Sequence, residues 1–217
     1  MSESIFRHSF VTAAIMAGFS VLGTVLLVFT VFSTREPIAA SEREAKKALL
    51  EQVAPAELHD NDLLQDTLSI PAGGELGNRD ETLAYRGRKA GQPSAVIMEA
   101  TAPDGYSGDI KLLIGIRADG EITGVRVLAH RETPGLGDYI EVQRSDWIKK
   151  SFDSQSLAKT ADDLWKVKKD GGSFDYMAGA TITPRAVVKA TYKALKYFAA
   201  HREELFAAPA QKEAAHG

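Results

Sequence analysis

The sequence predicts an α+β fold, a mostly antiparallel sheet with flanking helices, preceded by a single N-terminal transmembrane helix. Three observations carry that prediction. Residues 9–34 contain no charged side chain. Between residues 82 and 130, β-rich runs come in pairs separated by glycine-containing turns. A strong amphipathic helix pattern begins at Pro184. Strands and helices are segregated rather than alternating, so the βαβ units of a Rossmann domain are not expected. Neither a G-x-G-x-x-G nor a P-loop pattern occurs.

The uncharged run, "SFVTAAIMAGFSVLGTVLLVFTVFST", comes first. About 20 apolar residues cross a bilayer as a helix, and this run is long enough with some tilt. A cleaved signal peptide normally has an apolar core of only about 7–15 residues. The A-x-A-like stretch at residues 38–40 follows Arg35, Glu36 and Pro37, an awkward approach to a cleavage site. A retained anchor is therefore the expectation. Arg7 before the span and Arg35 after it leave the positive-inside rule without a decision.

Residues 37–53 read as a second helix. Acidic residues come early and lysines later, with Ala45, Leu49, Leu50 and Val53 on one face and Pro55 as the stop. Residues 56–80 are mixed, with "PAGGELGN" as a loop. "TLAYRG" and "SAVIMEA" flank "RKAGQP" as a hairpin. "DIKLLIGI" and "EITGVRVLAH" flank "RADG", where Asp119-Gly120 is a strong hairpin signal. "DYIEVQRSDWIKKSF" reads as a helix. "DLWKVKK" and "SFDYM" around Asp170-Gly171-Gly172 read as another hairpin. The last helix runs from Pro184 to about Ala200 with Val187, Val188, Thr191, Leu195 and Phe198 on one face. Residues 207–217 read as a disordered tail. Trp147 and Trp165 read as packing residues.

Composition narrows the chemistry. The formal net charge is −3, which gives no reason to expect a nucleic-acid partner. The absence of cysteine excludes disulfides, thiolate metal sites and cysteine catalysis. The five histidines show no metal-ligand spacing, so no metal site is expected.

The stretch with chemical content is "DYMAGATITPRAVVKATYKAL", residues 175–195. Pro184 suits the first helical position and Thr183 the N-cap before it. A loop ending at a helix N-terminus offers unpaired N–H groups and the positive end of a dipole, a ready anion site. Gly179 allows close approach or a positive φ, Ala180 keeps the approach narrow, and Thr181 presents a hydroxyl. On these residues alone two readings stand, a hairpin exit with a capped helix, or an anion held near Thr181.

"DYMAGATIT" resembles the D-x-x-[ST]-G-A-T motif of the covalent FMN-binding domain family. "HRETPGLGDYIE", residues 130–141, is similar to that family's H-x-E-T-P-G-L-G loop, which lies against the flavin. One span followed by such a domain resembles the G-subunit family of the Rnf (Rsx) electron-transport complexes. The departure is Ala178, where the family usually has Ser or Thr.

The resemblance implies covalent FMN on Thr181 through a phosphoester, with Gly179 and Ala180 beside it. Asp175 is then either read by a flavin transferase or pins the turn. In the second motif Pro134, Gly135 and Gly137 shape a tight turn, Leu136 covers a ring face, and Glu132 or Thr133 hydrogen-bonds the flavin's polar edge. Tyr106 either lines the same pocket or is an exposed loop residue, and His130 is expected to be solvated. A Thr hydroxyl is a poor nucleophile without activation, which favours a separate transferase.

The implied organisation is a cytoplasmic N-terminus at 1–8, a transmembrane helix at 9–34, a linker and helical region at 35–80, an FMN-binding domain at 81–206 and the tail. The implied function is a flavoprotein subunit of an ion-translocating ferredoxin:NAD oxidoreductase, not catalytic on its own. It would sit in a bacterial inner membrane, single-pass, with the domain on the periplasmic side. Its partners would be other membrane and redox subunits, a flavin transferase and membrane lipid. The alternatives are the FMN-binding subunit of the related sodium-translocating NADH:quinone reductase, or a non-redox membrane-anchored binding or assembly module.

Overall fold

The computed structural model describes residues 2–207, and the expected tail from residue 208 onward lies outside them. The chain divides into two compact units, Met1–Lys46 and Lys47–Gly217. Helix α1 spans Ser2–Glu51. It is long and apolar enough to cross a membrane. Three of its polar side chains are satisfied within the helix: Thr24, Thr30 and Thr34 each return a hydroxyl to the carbonyl four residues back at 2.8 Å. Such back-bonding hides a hydroxyl from an apolar surrounding. Pro37 does not open a second helix but lies inside α1. It removes one helical bond, the one Ser33 would accept, and Ser33 is on an exposed turn.

The second unit is built on a five-stranded antiparallel meander. Its strands are β1 (Thr67–Ile70), β2 (Thr82–Lys89), β3 (Gln92–Gly105), β4 (Gly108–Arg117) and β5 (Ile122–Ala129), in that spatial order. The β2–β3 hairpin closes through Ala90 and Gly91, both at positive φ (50° and 76°), the geometry that matches strand twist in a two-residue loop. The expected turn at Asp119-Gly120 joins β4 to β5, with Gly120 at φ 93°.

Alternation sorts the sheet's side chains. Val96, Met98, Ala100 and Ala102 of β3 join Ile110, Leu112, Ile114 and Ile116 of β4 in the main core. Helix α3 (Ile182–Phe206) lies over β3 and contributes Val187, Val188, Thr191, Leu195 and Phe198, the predicted face. Ala186, Ala190 and Ala194 at four-residue spacing are buried beside them.

Ile97, Leu113 and Tyr85 point the other way and are covered by Leu50, Val53, Ala54 and Leu63. Gly115 and Gly124 face each other across β4 and β5 and make room there for the Val53 backbone. A Cβ on Gly124 would lie 3.1 Å from the Val53 Cα. Thr123 donates its hydroxyl to the Val53 carbonyl.

Two further sequence expectations are corrected. The segment 138–152 is not one helix but a 3-10 turn at Asp138–Ile140 followed by a short helix α2 at Trp147–Phe152. Glu141 is extended, and the Ser145 Oγ accepts the Trp147 N–H, so side-chain bonding restarts the helix six residues late. The segment 163–177 is not a hairpin. It holds 3-10 turns at Asp162–Leu164 and Lys168–Asp170 and a single parallel bridge, Val167 to Phe174. Aromatic packing decides its course: Phe174 stacks between Trp165 and Phe152 at 5.0 and 5.4 Å. Both tryptophans are buried packing residues, as expected.

Candidate functional site

Three chain segments meet at the start of α3: the β3–β4 turn at residues 106–107, the loop 130–137 leaving β5, and the loop 175–181. Between them lies a cavity of about 270 Å³ lined by Tyr106, Glu132, Thr133, Leu136, Gly137, Gly179, Ala180, Thr181, Ile182 and Thr183. Ligand pockets typically run from about 300 Å³ upward, so this one suits part of a nucleotide-sized molecule. Glu132, Thr133, Leu136 and Gly137 of one motif and Gly179, Ala180, Thr181 and Thr183 of the other line it together, although the two motifs are about 50 positions apart. Asp175, His130, Pro134 and Gly135 do not line it.

The α3 start differs from the expectation in an informative way. The N-cap position belongs to Thr181, not Thr183. Thr181 is helical in φ and ψ (−77°, −25°), and its side chain makes no capping hydrogen bond. Thr183 lies in the first helical turn at 1 % exposure and donates its hydroxyl to the Glu132 Oε2. Both threonines line the cavity, but the one expected to cap is tied to Glu132, while the other has its cap role unfilled. The first-turn amides of a helix lack intrahelical partners, and Pro184 has no N–H to offer, so Ile182 and Thr183 supply them here.

Upstream, the Ala180 N–H closes a turn on the Met177 carbonyl at 3.1 Å. Gly179 takes φ 88°, and no atom crowds the place where its Cβ would be, so the backbone angle is what requires glycine. Met177 N–H bonds to the Tyr139 hydroxyl at 3.3 Å, and burial pushes that hydroxyl's pKa up to about 12. Asp175 projects outside the cavity and pairs with Lys168 at 2.5 Å.

In the loop leaving β5, Leu136 and Gly137 both return their N–H groups to the Thr133 carbonyl, at 3.1 and 2.9 Å. Gly135 is at φ 76° with its N–H on the Asp138 Oδ1. This tight turn leaves Leu136 half exposed over the cavity. Thr133 is exposed on its rim.

Glu132 is buried with both carboxylate oxygens engaged by protein donors, Thr183 on one and the Ser107 N–H at 2.9 Å on the other. His130 is not solvated as expected. Its Nδ1 accepts the Glu132 N–H at 3.0 Å, which leaves Nε2 to donate to Glu141 at 2.8 Å.

Among the described residues, no Lys or Arg lines the cavity. Arg185, on the first turn of α3, is held outside by a two-point ion pair with Asp170, which lowers the Asp170 pKa through hydrogen bonding. An anion at the α3 start would be met by main-chain N–H groups and the helix dipole. Ile182 and Ser107 were not singled out from the sequence. The Gly-x-x-Gly spacing around Tyr106-Ser107 was the available sign of a turn there.

Family models match both parts of the chain: an FMN-binding domain over residues 105–196 and an RnfG N-terminal region over residues 1–53. Among curated proteins, the G subunit of the ion-translocating oxidoreductase complex of Shewanella oneidensis is 45% identical over 93% of this chain and 95% of its own. Its counterpart in Pseudomonas aeruginosa is 48% identical over 93% and 94%, and that of Vibrio cholerae 44% identical over 90% and 92%. Among solved structures, the crystal structure of Shewanella oneidensis NqrC aligns with 67% of this chain and 74% of its own, at a TM-score of 0.45 and 20% identity.

Proposed function

This chain belongs to the family of G subunits of ion-translocating oxidoreductase complexes, and from that membership we propose that it carries FMN as a phosphoester of Thr181 and relays electrons between redox subunits. The observation that carries the reading is the free cap position. Thr181 lines the cavity at a helix N-terminus, and its side chain makes no capping bond.

The residues present fit the group. The α3 amides and dipole receive a phosphate without a neighbouring cation. Gly179 turns the chain so that Thr181 lines the cavity. Leu136, Ile182 and Tyr106 offer apolar surface at the mouth for a flat ring. Once bound, FMN supplies reversible one- and two-electron chemistry, while the protein supplies position and electrostatics.

Among the described residues of the cavity, Thr181 has no activating base at hand. Glu132 is the carboxylate of the lining, and its hydrogen bonds go to Thr183 and Ser107 rather than to Thr181. A flavin transferase therefore makes the bond, and Asp175, exposed six residues upstream, is available for it to read. The subunit has no substrate cycle of its own.

Helix α1 serves as the membrane anchor, in contact with lipid. The domain lies on the periplasmic side of a bacterial inner membrane, beside the other subunits of the complex. Confinement to that plane raises the effective concentration of carrier and partners.

The test is chemical. Protein made together with a flavin transferase should fluoresce under ultraviolet light after denaturing electrophoresis. Peptide mass mapping should then place one FMN on Thr181. A colourless band, or FMN on Thr183, would sink the assignment. Protease added to intact spheroplasts should digest the domain, and full protection would reverse the orientation.

A further inference from the structure

Glu132 is 4 % exposed and lines the cavity. Its side chain binds the β3–β4 turn through Ser107 and the α3 start through Thr183, while its own N–H is held by His130. Space has been left for this carboxylate. A Cβ on Gly137 would come within 2.8 Å of the Glu132 Cβ, 3.0 Å of the Thr183 Oγ1 and 3.1 Å of the Glu132 Oε2. With no Lys or Arg among the described residues of the lining, its charge is balanced there by hydrogen-bond donors alone. In a buried setting such a charge is felt strongly by its surroundings.

We propose that Glu132 is a positioning residue that also sets the redox poise of the site: it ties the three cavity-forming segments together, and its buried negative charge holds the midpoint potential down. The proposal rests on the Thr181–FMN reading. Electrons arriving from one redox subunit and leaving to the next add negative charge in the cavity whenever no proton accompanies them. A fixed carboxylate beside it opposes that gain. With one protein donor already on each oxygen, Glu132 acts through its field and its bracing.

Two measurements on the full-length protein test this. In flavin-free protein, made without transferase, Glu132→Ala should speed amide exchange both at Ser107 and in the first turn of α3. Unchanged exchange at either place would overturn the brace. In the labelled fraction, Glu132→Gln removes the charge at nearly constant shape, and the midpoint potential should rise. Thr183→Val keeps the charge but removes a donor, and the potential should fall. A purely structural role would not move the two in opposite directions, and unchanged potentials would overturn the electrostatic role. Absence of flavin from the wild-type protein would instead sink the Thr181 reading and leave the exchange result standing.

Discussion

The indole N–H of Trp147 donates to the main-chain carbonyl of Asp175 at 2.8 Å, while the Asp175 carboxylate stays 72% exposed against Lys168. The loop that leads to Thr181 is thus suspended from α2 by its backbone, and its acidic side chain is left outside. Asp175→Ala should lower the yield of covalent flavin even with transferase in excess. It should barely change thermal stability, because an exposed ion pair contributes about 0–1 kcal/mol. Labelling at the wild-type rate would show that the carboxylate is not read.

Thr181→Ala should abolish the fluorescent band on a denaturing gel. Losing an N-cap threonine usually costs about 1 kcal/mol. Here no capping bond exists to lose, so the urea midpoint of the flavin-free variant should stay close to wild type. A large drop in that midpoint would mean the hydroxyl has a structural bond.

Thr183→Ala should behave in the opposite way. Labelling at Thr181 should persist, while stability falls by about 1–3 kcal/mol because buried Glu132 loses a donor. Chemical denaturation of the two threonine variants side by side measures the contrast. Equal stabilities would contradict the division of labour between them.

Leu136→Ala should leave the flavin attached and alter its absorption band shape and fluorescence, since the change lies over the cavity and away from the cap position. A buried Leu→Ala change costs about 2–5 kcal/mol. Leu136 is 48% exposed, so its cost should fall below that range. Unchanged spectra would separate the loop from the ring.

Alkaline stability should carry a signature of Tyr139. Its pKa is raised by burial to about 12, against about 10 in an unfolded chain. The folded state therefore favours the protonated hydroxyl. That contribution is complete below about pH 10 and is lost as pH rises from about 10 to 12. Denaturant midpoints measured across this window should fall more steeply for the wild type than for Tyr139→Phe, and parallel curves would refute it.

Local signals in the sequence were enough where neighbouring residues decide the outcome. Asp119-Gly120 named its turn, and the α3 face from Val187 to Phe198 followed from helical spacing alone. They failed where distant contacts decide. Trp165, Phe174 and Phe152 pull the 163–177 segment into coil for the sake of ring packing, which no turn rule contains. The site was legible as two motifs that meet. The exchange of roles between Thr181 and Thr183 was not, because it depends on a carboxylate 51 positions away.

The Gly115–Gly124 recess has a practical corollary for anyone shortening the polypeptide. The residues it seats are also the lid over Tyr85, Ile97 and Leu113. A fragment begun at Lys47 would dispense with the greasy run and still bring Leu50, Val53 and Ala54 to their places. One begun at Ala56 would keep Leu63 but lose Leu50, Val53 and Ala54, leaving three large side chains partly uncovered and an empty slot across two strands, an invitation to clump. The difference between a tractable soluble fragment and a precipitate is thus expected to lie in nine residues outside the cavity lining.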